Sequence, residues 1–144
     1  MRRISWPLLI AATLVTAVAA CDVGGVFVVD NKSDVELVVR VSGREQDPGA
    51  SGVAYRDRRD VLSVPPHARL VVEELSFTST LRIEKVEVLD AACTLLRRFD
   101  VEDGVAFERD GYLIAVESNL SARLVDEFPR DGTPASPSDR CTGT

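Results

Sequence analysis

Three cysteines, Cys21, Cys93 and Cys141, and one histidine, His67, are the residues best placed to do chemistry in this chain of 144 residues. A lone histidine in "PPHAR" excludes a multi-histidine zinc site, and no nucleophile motif accompanies it to make a Ser-His-Asp triad. It reads as a loop residue. No G-x-S-x-G elbow, S-x-x-K pair or phosphate-cradling glycine run occurs. "DVEDG", Asp100 to Gly104, is acidic but lacks the D-x-D-x-D-G spacing and the downstream glutamate that a calcium loop needs. It reads as a turn with solvated acids. Glu73 and Glu74 are adjacent, so on a strand they point to opposite faces and cannot share a proton. "YRDRRD", Tyr55 to Asp60, reads as a solvated charged edge, with a partner-binding patch as the alternative. No catalytic residue, metal ligand or cofactor site emerges, and the chain is not expected to be an enzyme. The cysteines remain.

Cys21 follows a short cationic start, Arg2 and Arg3, and an apolar stretch from Leu8 to Ala20. That stretch is shorter than the roughly 20 residues a membrane-spanning helix needs and fits the hydrophobic region of a signal peptide. "VAAC", Val18 to Cys21, then places two small residues before a cysteine. This resembles the lipobox of bacterial lipoproteins. The resemblance implies that residues 1–20 are removed and that the Cys21 thiol carries a diacylglyceryl group. The amine would carry a further acyl chain such as palmitate. Ordinary secretion with a free Cys21, or an uncut anchor, are the alternatives. Each buried methylene contributes about 0.8 kcal/mol, so two or three chains anchor stably where one is marginal. Residues 21–25 become a lipidated tether, and Asp22 resembles an inner-membrane retention signal if the source has two membranes.

Lipidation would consume Cys21 and leave Cys93 and Cys141 as the pair for a disulfide in an oxidising compartment. Two free thiols are the alternative, because spacing does not show approach. Removing Arg2 and Arg3 leaves 15 basic against 23 acidic side chains, a formal charge of −8. Such a surface excludes nucleic acid as a partner and a direct electrostatic grip on anionic lipid. Two N-x-S sequons, at Asn31 and Asn119, would stay unmodified in a bacterial lipoprotein.

The elements that must position these residues are short strands. Val35, Leu37, Val39 and Val41 alternate with Glu36, Arg40 and Ser42, and Val38 is an apolar exception on the outer face. "VFVV" before it predicts a strand that forms a hairpin with it or precedes it. Val53–Arg56, Asp60–Val64 and Ala68–Leu75 predict further strands around the Pro65-Pro66 turn. In "LRIEKVEVLD", Leu81 and Ile83 differ in parity from Val86 and Val88, and a β-bulge near Glu84–Lys85 would put all four on one side, with a plain two-faced strand as the alternative. "DAAC" is a turn leading back into "TLLRRFDV". Asp110-Gly111 predicts a hairpin between Val105–Phe107 and Tyr112–Val116. Residues 120–128 fit a strand or a short helix, with the strand favoured. The tail, 129–144, is rich in Pro, Ser, Gly and Thr and cannot bury a core of its own, so Cys141 would pin it.

Seven to nine short strands without a long helix predict an all-β fold. The expected form is an antiparallel β-sandwich, immunoglobulin-like or small Greek-key, over residues 26–128, with a small β-barrel as the alternative. An Asn-and-Ser turn in "DNKSD", a Pro-centred turn in "VPPHA" and a Cys-containing hairpin around "DAAC" follow in order, and by them residues 26–101 resemble small secreted bacterial β-sandwich modules, which implies architecture and no activity. The expected function is a non-catalytic binding module of the cell envelope, held by its lipid on the extracytoplasmic face of the cell membrane. Its partner would be an envelope protein or a glycan. A carrier of an apolar ligand between the sheets is the alternative, and a hydrolase ranks last.

Overall fold

Alternating side chains make a sheet with one wet and one dry face, and two such sheets bury their dry faces against each other. The computed structural model shows that arrangement. It describes residues 26–47, 49, 54–74, 81–107, 111–127, 129 and 132–143. Cys21, the lipobox and the tether lie outside the described residues, as do residues 108–110 and 128.

The strands are β1 (Val26–Asn31), β2 (Leu37–Gln46), β3 (Tyr55–Val64), β4 (Arg69–Glu74), β5 (Leu81–Asp90), β6 (Leu95–Asp100), β7 (Tyr112–Val116), β8 (Ala122–Val125), β9 (Thr133–Pro134) and β10 (Ser136–Pro137). A single 3₁₀ turn, Val101–Asp103, follows β6. Sheet one has the order β8-β7-β1-β4-β9, and sheet two has β10-β3-β2-β5-β6. The chain is therefore a β-sandwich. The sheets are separate, so the barrel alternative does not hold. Nor is the pairing antiparallel throughout: β1 with β7 and β4 with β9 run parallel. β1 and β2 lie in different sheets, unlike the immunoglobulin order, which keeps its first two strands together.

Phe27, Val29, Leu37, Val39, Val64, Val86, Val88, Ile114 and Val116 fill the space between the sheets with no exposed surface. The Phe27 and Tyr112 rings stack at 4.3 Å between centroids, and Phe107 tilts against Tyr112 at 5.1 Å. The expected bulge is present. Ser42 pairs with Lys85 and Gly43 with Ile83, which leaves Glu84 as the extra residue. Leu81, Ile83, Val86 and Val88 consequently all face the core. Gly43 answers the bulge: a Cβ there would run into the Arg82 backbone carbonyl.

Of the two readings of β1 and β2, successive strands hold and the hairpin does not, because the chain crosses between sheets at the turn. Two local readings change. The two strands expected at Val53–Arg56 and Asp60–Val64 are one continuous β3 from Tyr55. The Asp110-Gly111 hairpin is not formed. Val105 to Phe107 are not strand, and β7 pairs instead with β1 and β8. The connection from β6 to β7 passes from sheet two to sheet one, so the strands flanking it are not neighbours. Of the two readings of 120–128, the strand holds at Ala122–Val125.

The tail does more than hang from a disulfide. After β8, the Pro129 carbonyl accepts a hydrogen bond from the Val26 amide, at 3.4 Å on central strand β1. Gly132 lies against Val71 of β4, where a Cβ would come within 2.8 Å of a valine methyl. Val26 and Val71, the residues so touched, belong to the outer apolar cluster of sheet one with Val28 and Leu113. β9 then pairs with β4, and β10 with β3 of sheet two, where β10 forms the edge. Residues 138–143 cross the outer face of sheet two to reach Cys93.

Candidate functional site: the turn pole, the clasp and a charge cluster

Register places four connections, β1–β2, β3–β4, β5–β6 and β7–β8, at one pole of the sandwich. Two of these turns use the same device. The Asn31 side-chain oxygen accepts from the Ser33 amide at 3.1 Å and its hydroxyl at 2.7 Å. Asn119 accepts from the Ser121 amide at 3.1 Å and its hydroxyl at 2.7 Å. Both sequons are thus Asx-type turns. A backbone N–H is only a donor, so the bond to Ser33 fixes the orientation of the Asn31 amide. Its nitrogen then donates to the carbonyls of Val35 at 2.8 Å and Pro65 at 2.9 Å, with Val64 at 3.3 Å sharing a proton. Asn31 is fully buried and locks the β1–β2 turn to the β3–β4 turn.

His67 stands on that pole, exposed, with Nε2 2.8 Å from the Asp34 carboxylate. Its backbone is left-handed at φ 53, and its amide donates to the Ser33 carbonyl at 3.3 Å. Among the described residues no three His, Cys, Asp or Glu side chains gather in a way that could hold a metal ion. Val35 and Leu95 are the large apolar side chains most exposed there, at 40% and 48%.

The β5–β6 turn carries Cys93. Asp90 organises it by accepting from the amides of Ala92 at 2.9 Å and Thr94 at 2.8 Å. Cys93 is exposed and disulfide-bonded to Cys141, with 5.3 Å between the Cα atoms. Of the residues singled out in the sequence, these two are brought together, His67 meets Asp34, and Cys21 lies outside the described residues.

The opposite pole holds a constellation that sequence reading missed. "YRDRRD" is not simply a solvated edge. Arg58, on the core-facing side of β3, lies 2.8 Å from Asp60, 3.4 Å from Glu73 and 3.5 Å from Glu45. Arg56 adds a second contact to Glu45 at 3.0 Å. Glu73 belongs to β4, so Arg58 ties sheet two to sheet one. Desolvation works against its charge, but the fields of Glu73, Asp60 and Glu45 outweigh burial and raise the Arg58 pKa above its ordinary value. The signal was period-2 alternation, which puts Arg56, Arg58 and Asp60 on the same face as Leu62 and Val64. The buried Tyr112 phenol is held well above its ordinary pKa, first by desolvation and then by the Glu73 charge. Its hydroxyl has no hydrogen-bond partner among the described residues. Asp100 to Gly104 is a capped turn: the Asp100 carboxylate accepts from the Glu102 amide at 2.9 Å.

An open groove of about 560 Å³ runs beside the bulge, lined by both signs of charge, among them Arg44, Asp57, Arg59, Glu84, Lys85 and Asp100. Mixed polar walls of this kind suit water better than an apolar ligand.

Searches against family models, curated proteins and solved structures found no match.

Proposed function

We infer that this chain is a lipid-anchored, non-catalytic module of the cell envelope that contacts a protein or glycan partner through its turn pole. The observation that carries the reading is the polarity of β1. It begins at Val26, five residues after Cys21, and runs from the opposite pole toward the turns. The five residues from Cys21 to Val26 reach at most about 18 Å. Ten-residue strands such as β2 extend about 33 Å. An acylated Cys21 would therefore hold the charge-cluster pole near the lipid and present the turn pole outward. The pole is also well fitted for contact. It is locked by Asn31 and carries Val35 and Leu95 beside polar turns, so binding would cost little ordering entropy.

A photo-crosslinking residue tests this when placed singly at Val35 or Ala91 on the turn pole, and at Asp103 near the other pole, in native membranes. Adducts of defined mass from the turn-pole positions and none from Asp103 are expected. Adducts from Asp103 alone, or from none of the three, overturn the assignment.

A further inference from the structure

We propose that the C-terminal strap, residues 136–143, is a redox latch: Cys93–Cys141 holds it shut over an apolar patch, and a dithiol reductant opens it. The inference rests on the fold and stands whether or not Cys21 carries lipid.

The patch is Val38 and Leu89. Pairing parity puts both on the outer face of sheet two, opposite the core-facing Leu37, Val39 and Val88. A solvated face should leave them wet, yet they are 0% and 2% exposed. The strap is bonded to the residues on either side of Val38, which sets it across that face. Arg140 donates to Glu36 at 3.2 Å, and the Gly143 carbonyl accepts from Arg40 at 3.0 Å. Glu36 and Arg40 flank Val38 on that same face. Arg59 adds a bond to the Gly143 carbonyl at 3.2 Å.

The noncovalent grip is thin. Strand β10 pairs only two residues with β3, and one of them, Pro137, has no amide proton. Beyond it the Ser138 amide donates to the Val61 carbonyl at 2.9 Å. The Arg140–Glu36 pair is exposed, and such pairs hold little. Both cysteines also sit in left-handed backbone, φ 65 at Cys93 and 57 at Cys141, a region non-glycine residues disfavour. The Asp90 turn holds Cys93 in that conformation, so opening the bridge can relax only Cys141.

Access favours exchange. Cys93 lies exposed on a tight turn while Cys141 is half-buried. A thiolate of the reductant attacks the Cys93 sulfur and the S–S bond breaks. Cys141 leaves as a thiolate and takes a proton. The reductant's second thiol then displaces Cys93 from the mixed disulfide. Two electrons pass to the protein, and the reductant ends as a disulfide. The strap lifts, exposing Val38, Leu89 and the β10-facing edge of β3.

Trypsin reads the latch in the detergent-solubilised full chain, with and without dithiothreitol, scored by mass after quenching and full reduction. Protease needs a locally detached backbone, so cleavage follows the open population. Reduction should speed cutting after Arg140 by about tenfold or more, with cutting after Arg40 and Lys85, inside β2 and β5, unchanged. The double variant Cys93→Ser, Cys141→Ser should show the reduced pattern without dithiothreitol. An unchanged rate at Arg140 in the native chain overturns the latch. So does a parallel rise at all three sites, which would make the bridge a support for the whole fold.

Discussion

Asn31 and Asn119 build the same turn from the same three-residue pattern, yet their surroundings differ. Asn119 works in solvent, and its bonds replace bonds to water. Asn31 is fully buried and serves as partner to carbonyls of two different turns. Removing the Asn31 side chain leaves those carbonyls unpaired in the interior. Asn31→Ala should therefore cost about 3 kcal/mol, and Asn119→Ala under about 1 kcal/mol, read from urea unfolding midpoints. Equal losses would show that the interlock contributes nothing beyond the turn itself. The turn residues were legible, since Asn-x-Ser between apolar runs is a turn pattern. The burial of one copy was not, because it depends on the β3–β4 turn, more than thirty residues away. Arg58 is similar. Its face followed from alternation, but its partner Glu73 sits in the other sheet.

At the scale of elements, patterns confined to one strand were readable, and pairings between distant strands were not. The parity change in β5 placed the bulge correctly, because four apolar residues must reach one core. Gly43 opposite it is the counterpart. Gly43→Ala should cost about 1–3 kcal/mol through the clash with the Arg82 carbonyl. Gly143→Ala, where a Cβ meets nothing within 4 Å, should stay within about 0.5 kcal/mol. Denaturant unfolding of both variants checks this, and a neutral Gly43→Ala would mean the bulge can shift. The Asp110-Gly111 signal misled because it speaks only of adjacent residues. The winning arrangement pairs β7 in parallel with β1, more than eighty residues earlier, and uses Phe107 to pack against Tyr112. No turn residue encodes a parallel pair.

Across the whole molecule, the tail wraps the sandwich. Its composition explains both what was readable and what was not. Pro, Ser, Gly and Thr cannot build a core, but they lie flat on one, as Gly132 does on Val71. Fully buried Val28 and Val38, on the two outer faces, needed such a cover. In the sequence alone, Val38 looked like an exception to alternation.

The wrapped domain has a free and an anchored end only if Cys21 is the lipid attachment point, and the proposed outward turn pole depends on it. The direct measurement is the intact mass and membrane partition of the native chain beside Cys21→Ser. The native protein should partition with membranes, begin at residue 21 and exceed its peptide mass by the diacylglyceryl and acyl groups. Cys21→Ser should be released from membranes. A native mass beginning at Met1 or matching an unmodified Cys21, or a Cys21→Ser variant that stays with the membrane, would contradict the account.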